Sequence, residues 1–149
     1  MKIVSIAISP KNGTSKTPVM EARLRKGHGL ERDAHAGPWH RQVSFLAAES
    51  IKKAKDEGQD VGFGSFAENI ATIGVDWSNL SVGTALHLGE SAVVEITQIG
   101  KTCKKNCAIF YQTGNCIIPK EGVFGRVIKG GVIRVGDVIR IFPPEINSI

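Results

Sequence analysis

Leu80-Ser-Val-Gly-Thr-Ala-Leu-His-Leu88 and, at an offset of 53 positions, Ile133-Arg-Val-Gly-Asp-Val-Ile-Arg-Ile141 share one pattern: apolar, any residue, Val, Gly, polar, apolar, aliphatic, basic, aliphatic. Each copy reads as a strand, a tight glycine turn and another strand, because alternating apolar positions match the two-residue period of a pleated strand and glycine lets the chain bend sharply. Such units recur in small β-barrels, where strands turn corners at glycine. Two copies are too few for a solenoid, which needs about three stacked repeats.

Outward from this pair, Lys2 to Ser9, Gln42 to Leu46, Phe66 to Ile73, Ala92 to Thr97 and Gly122 to Ile128 also read as strands. Pro10 to Ser15 is a turn by composition, and Pro18 to Lys26 fits a short helix or a strand equally well. The one clear helix is near residues 47–57, where Ala48, Ile51 and Ala54 or Lys55 fall at helical spacing and Gly58 supplies the stop. With one helix, many short strands and no βαβ alternation, the expected fold is mostly β, a small β-barrel. By the usual size prior, residues 1–149 form a single domain.

Composition narrows the functional classes. Hydrophobic residues at 42% and charged residues at 22% describe a folded chain rather than a disordered one. No apolar run approaches the roughly 20 residues that span a bilayer, and Met1-Lys-Ile-Val-Ser leads directly into a strand pattern, so a cytoplasmic location without membrane association is expected. The net charge of +5 favours anionic partners. The basic residues are scattered and only nine aromatics accompany them, so a small anionic ligand is a better use of that charge than nucleic acid.

All three cysteines, Cys103, Cys107 and Cys116, fall within Ile99-Gly-Lys-Thr-Cys-Lys-Lys-Asn-Cys-Ala-Ile-Phe-Tyr-Gln-Thr-Gly-Asn-Cys116. Lys101, Lys104 and Lys105 flank the first pair, and nearby cations raise the fraction of thiolate, the form that attacks sulfur and ligates metal. Cys116 runs into Ile117-Ile118 and reads as one more apolar strand residue. Cys103 and Cys107 sit among polar residues, which suits a reactive or ligand role. The segment contains one zinc-like knuckle where structural zinc sites use two, and three is an odd count for disulfides.

Other polar candidates lie elsewhere. The glycine-rich loop Gly27 to Arg41 holds Asp33, His35 and His40, which could ligate a metal, move a proton or simply cap the loop. In Phe66-Ala-Glu-Asn-Ile70, an alternating strand would put Glu68 and Asn69 on opposite faces, so one of them at most would point inward, where it must be hydrogen-bonded. Arg41 and Arg126 could neutralise an anionic ligand.

Taken together, Gly29-Leu-Glu-Arg-Asp-Ala-His-Ala-Gly37, Arg41-Gln-Val-Ser44, Phe66-Ala-Glu-Asn-Ile70, the Cys103 to Cys116 cluster and Glu121-Gly-Val-Phe-Gly-Arg-Val127 resemble a stand-alone MOSC domain, the module named for the C-terminal part of molybdenum cofactor sulfurases. Arg32 stands where the bacterial members usually have glycine. The resemblance implies a β-barrel associated with the molybdenum cofactor (molybdopterin), which it would bind, serve with sulfur, or use in redox chemistry. It implies that Cys107, with Cys103 as the alternative, is the key cysteine, as persulfide carrier or metal ligand, and that Arg41, Glu68, Asn69, Arg126, Asp33 and His35 are cofactor-binding candidates. The implied partners are a sulfur donor or a molybdoenzyme, with an electron-donor protein if the chain is an oxidoreductase of N-hydroxylated compounds. No pyridoxal phosphate site is evident. A structural module holding zinc through Cys103 and Cys107 is the remaining alternative.

Overall fold

The computed structural model describes residues 1–11, 14–100 and 121–144. In chain order it contains β1 (Lys2–Ile8), β2 (Thr17–Val19), β3 (Glu21–Arg25), β4 (Gly29–Leu30), β5 (Val43–Ala47), α1 (Ala48–Asp56), β6 (Ile70–Ile73), a 3-10 turn (Trp77–Asn79), β7 (Ala85–Leu88), β8 (Ala92–Ile99), β9 (Val123–Lys129), β10 (Gly131–Arg134) and β11 (Ile139–Phe142). The protein is mostly β. Eight strands form one sheet in the order β11-β7-β8-β9-β5-β6-β1-β2, and β10-β3-β4 form a second. No helix among the described residues is long and apolar enough to cross a membrane.

The closed barrel expected from the glycine repeat is not formed. The large sheet keeps two edges, β11 and β2, and the start of β1 meets the 136–139 stretch through an antiparallel bridge between Lys2 and Val138 and the flanking backbone bonds of Met1 and Ile3, without a continuous ladder. Closure fails because β10 leaves the large sheet to pair with β3 through Gly131↔Leu24 to Arg134↔Glu21. At the other edge, β2 is three residues long and contains Pro18, which has no N–H with which to extend a ladder. The repeat itself survives in part: residues 80–84 are not a strand, while the second strands of the two copies, β7 and β11, pair antiparallel from Ala85↔Phe142 to Leu88↔Ile139.

The structure also contains a βαβ unit that the sequence pattern did not suggest. β5 and β6 run parallel, with Phe45↔Ile70 and Ala47↔Thr72 as partners, and α1 makes the crossover that parallel strands require. The helix lies inside the expected range, and Gly58 past its end adopts φ +102°. The apparent eight-residue strand at 66–73 is a strand only from Ile70.

Two apolar layers use opposite faces of β5. Val43 and Phe45 join Ile3, Ile6, Val94, Ile96 and Val127 in the larger core, with Trp77 against Phe45 at 5.5 Å between ring centres. Leu46 faces the helix, where Ile51, Ala54, Phe66, Ala71 and Phe124 bury one another. Burying each such side chain contributes about 1.5–3 kcal/mol, and β5, like β6 and β9, feeds both layers.

Candidate functional site

The ends of the cysteine-bearing segment are fixed by β8 and β9. These strands pair from Val93↔Lys129 to Ile99↔Val123, and Gly100 N donates to Gly122 O at 2.7 Å. Gly100 and Gly122, which flank residues 101–120, therefore lie together at one end of this hairpin. Cys103, Cys107 and Cys116 lie outside the described residues, so their surroundings are not part of the geometry below.

Trp39, His40 and Arg41 converge on the same end of the hairpin. The Arg41 guanidinium lies 4.6 Å from the Trp39 ring centre and 5.8 Å from that of Phe124, the β9 residue opposite Gln98. Its Nε is buried and has no hydrogen-bond partner among the described residues. A desolvated guanidinium N–H left open in this way is costly unless a ligand supplies an acceptor. His40 Nε2 is 2.8 Å from Gln98 Oε1, while Gln98 Nε2 donates to Gly100 O at 2.7 Å. A carbonyl can only accept, so the amide orientation is settled chemically and His40 must carry its hydrogen on Nε2. Thr97 Oγ1 donates to the His40 carbonyl, and the buried Gln42 accepts from Val127 N at 2.9 Å. These bonds fasten the loop to both strands.

Between loop and strands opens a cleft of about 470 Å³, lined by Lys26, Gly27, Trp39, His40, Gln42, Thr97, Arg126 and Ile128 among others. Arg126 meets Glu95 at 3.0 Å in an exposed pair of small energetic value. Trp39 keeps 38% of its surface exposed, offering an aromatic wall beside the cations. The arrangement suits a ligand that combines negative charge with a flat ring.

Three of the expected site residues turn inward, away from this cleft. Asp33 accepts from Lys16 Nζ at 2.7 Å with both side chains fully buried, and from the N–H groups of Ser9 and His35 at 3.1 and 3.2 Å. Glu68 accepts from Gly64 N at 2.6 Å and Phe66 N at 3.1 Å. Burial pushes its carboxyl above the usual value, against the opposing pull of those N–H groups and of Lys16. Asn69 accepts from Ser44 N at 3.0 Å and Ser44 Oγ at 3.2 Å, and donates to Ala7 O at 3.1 Å, tying β6 to β5 and β1. The alternating-strand expectation for Glu68 and Asn69 is thus overturned: both are buried, because Ala67 takes φ +61° and the chain is irregular before β6. His35 packs its ring 5.9 Å from Trp39. No cluster of three or more potential metal-ligating His, Cys, Asp or Glu side chains occurs among the described residues.

The sequence matches the family model for the MOSC domain over residues 31–140, more than two thirds of its length. The chain belongs to the MOSC domain family. The same fold is also seen in solved structures. YuaD from Bacillus subtilis superposes with a TM-score of 0.78 at 15% identity, covering 97% of this chain and 96% of that one. YiiM from Geobacillus stearothermophilus gives 0.75 at 22%, covering 99% and 78%, and YiiM from Escherichia coli 0.69 at 23%, covering 97% and 71%. At these identities the likeness is one of fold. No curated protein matches the sequence significantly.

Within this MOSC chain, the matched span includes Trp39, His40, Gln42, Thr97 and Arg126, which line the cleft, and Arg41 and Gln98, which contact Trp39 and His40. Sequence reasoning found Arg41 and Arg126 but missed Lys26, Trp39, Gln42, Thr97 and Gln98. For Gln42 a signal was present, since a polar residue beside a buried strand must be satisfied somewhere. For Thr97 and Gln98 none was, because their partners lie 57 and 58 positions away.

Proposed function

We propose that this MOSC protein binds the molybdenum cofactor in the cleft between the Trp39–Arg41 loop and β8–β9, and carries sulfur as a persulfide on Cys107 for delivery to the cofactor or to a partner molybdoenzyme. The observation that carries the reading is the buried Nε of Arg41, without a hydrogen-bond partner among the described residues, against Trp39, which lines a basic cleft. The residues present fit the group: about 470 Å³ lies within the range of small-molecule sites, Arg41, Lys26 and Arg126 match its phosphate, and the exposed Trp39 suits its ring system. When bound, the cofactor supplies two-electron redox chemistry at a metal that favours soft sulfur ligands.

The chain's own residues have separate tasks. Arg41 and its cationic neighbours neutralise the ligand, and His40, held to Gln98 through its Nε2–H, anchors the loop at the rim. Asp33 holds the loop that carries these residues, through Lys16 and the N–H groups of Ser9 and His35, while Glu68 and Asn69 hold the turn before β6. On Cys107, the thiolate attacks the terminal sulfur of a donor persulfide; a new S–S bond forms as the donor's breaks, and the donor leaves as its thiolate. The sulfur donor and the receiving molybdoenzyme are the partners this requires, in the cytoplasm and within one 1–149 domain.

The test is molybdenum and pterin content of protein from a host that makes the cofactor, beside Cys107→Ser. Stoichiometric pterin in both, with persulfide only in the wild type, is the expected result. Molybdenum lost from Cys107→Ser together with reduction of N-hydroxylated compounds by the wild type would turn the reading to an oxidoreductase. Zinc in place of both groups, with unfolding on chelation, would contradict it.

A further inference from the structure

A separate groove of about 280 Å³ opens where the two sheets meet. Ile8 and Val19 of the large sheet and Ala22 and Val132 of the small one give it an aliphatic lining, and Arg23 and Arg32 stand beside it. Two glutamates share the lining, but each has its own arginine: Glu21 lies 3.7 Å from Arg134 and Glu31 3.9 Å from Arg25. Arg23 and Arg32 have no ion-pair partner among the described residues. The backbone brings them together, since Glu31 N donates to Arg23 O at 3.0 Å. Arg32 also holds φ at +68°, a left-handed conformation that disfavours any residue with a Cβ. A strained backbone here carries a long cation to a groove that already has one.

We infer that this groove binds a small carboxylate with a short apolar body, its anionic end held by Arg23 and Arg32. Guanidinium forks match a carboxylate with paired N–H donors, and Arg23 and Arg32 are the cations of the lining. The aliphatic lining suits a hydrocarbon body rather than a sugar or a nucleotide. The volume, at the lower end for small-molecule sites, limits that body to a few carbons. The site is independent of the molybdenum-cofactor reading.

The test is titration of the full chain with hexanoate by calorimetry and ligand-observed NMR, with hexanol as the uncharged counterpart. The expected result is saturable hexanoate binding, at least tenfold weaker for hexanol, and at least tenfold weakened in both Arg32→Gly and Arg23→Gln. Because glycine adopts φ +68° freely, Arg32→Gly is expected to melt no lower than the wild type, so its loss of binding is not a loss of fold. Absence of hexanoate binding, equal binding of hexanol, or unchanged binding in the two variants would overturn the inference. A lowered melting temperature in Arg32→Gly would also overturn it, by giving Arg32 a structural task.

Discussion

At the scale of single residues, the loop carboxylates hold the backbone together, and Arg41 is the residue we propose for the ligand. Glu68 is protonated more readily in the folded chain than in the unfolded one, because burial raises it above its ordinary value of 4.5. The folded state thus binds more protons between the two values, and its stability falls as pH rises through that window, then levels off once both states are ionised. Glu68→Gln is expected to remove this slope, read as the difference between wild-type and variant urea midpoints across mildly acidic to neutral pH. The variant also loses one of two carboxylate acceptors for the Gly64 and Phe66 N–H groups, costing about 1–3 kcal/mol. Asn69→Ala, which strands the buried Ser44 N–H and Ala7 carbonyl, should cost about 3 kcal/mol in denaturant unfolding with far-UV circular dichroism unchanged. The sequence marked these polar residues as special but not their hydrogen bonds: the partners of Asn69 lie 25 and 62 positions away, and Glu68 meets the N–H groups of Gly64 and Phe66 through an irregular turn that strand alternation does not reveal.

At the scale of elements, local signals were legible and pairings were not. The helix was readable because Ile51 and Ala54 repeat at helical spacing and Gly58 ends it. The parallel partnership of β5 and β6 was hidden, since a crossover is a tertiary fact and β6 contributes only Ile70–Ile73. The same holds for β10, whose alternation announces a strand but not that it joins β3 rather than the large sheet. One glycine tests the β8–β9 pairing that presents the cleft. A Cβ at Gly125 would collide with the Val94 side chain and meet the Glu95 carbonyl at 2.8 Å. Gly125→Ala is therefore expected to destabilise the protein by about 1–3 kcal/mol in urea unfolding, and to weaken retention of pterin by separating strands that carry Thr97 and Arg126.

At the scale of the whole molecule, an open eight-stranded sheet, a smaller sheet and one crossover helix bring a loop near position 40 and a hairpin near positions 97 and 126 into one basic cleft. Family membership follows from motifs spread over residues 31–140, which is why the family was legible in the sequence while the cleft was not. The motifs mark which residues matter, whereas the distances among Trp39, Arg41, Phe124 and Gln98 arise only from folding. The central claim is that Arg41, whose Nε is buried without a partner among the described residues, takes a ligand's anionic group. Its most direct measurement is the pterin retained by wild type and by Arg41→Gln purified in parallel from a cofactor-producing host, quantified by fluorescence after oxidation, with melting curves confirming that both are folded. Retention by the wild type and at least tenfold less in the variant is the result predicted here. Equal pterin in two equally stable proteins would contradict it.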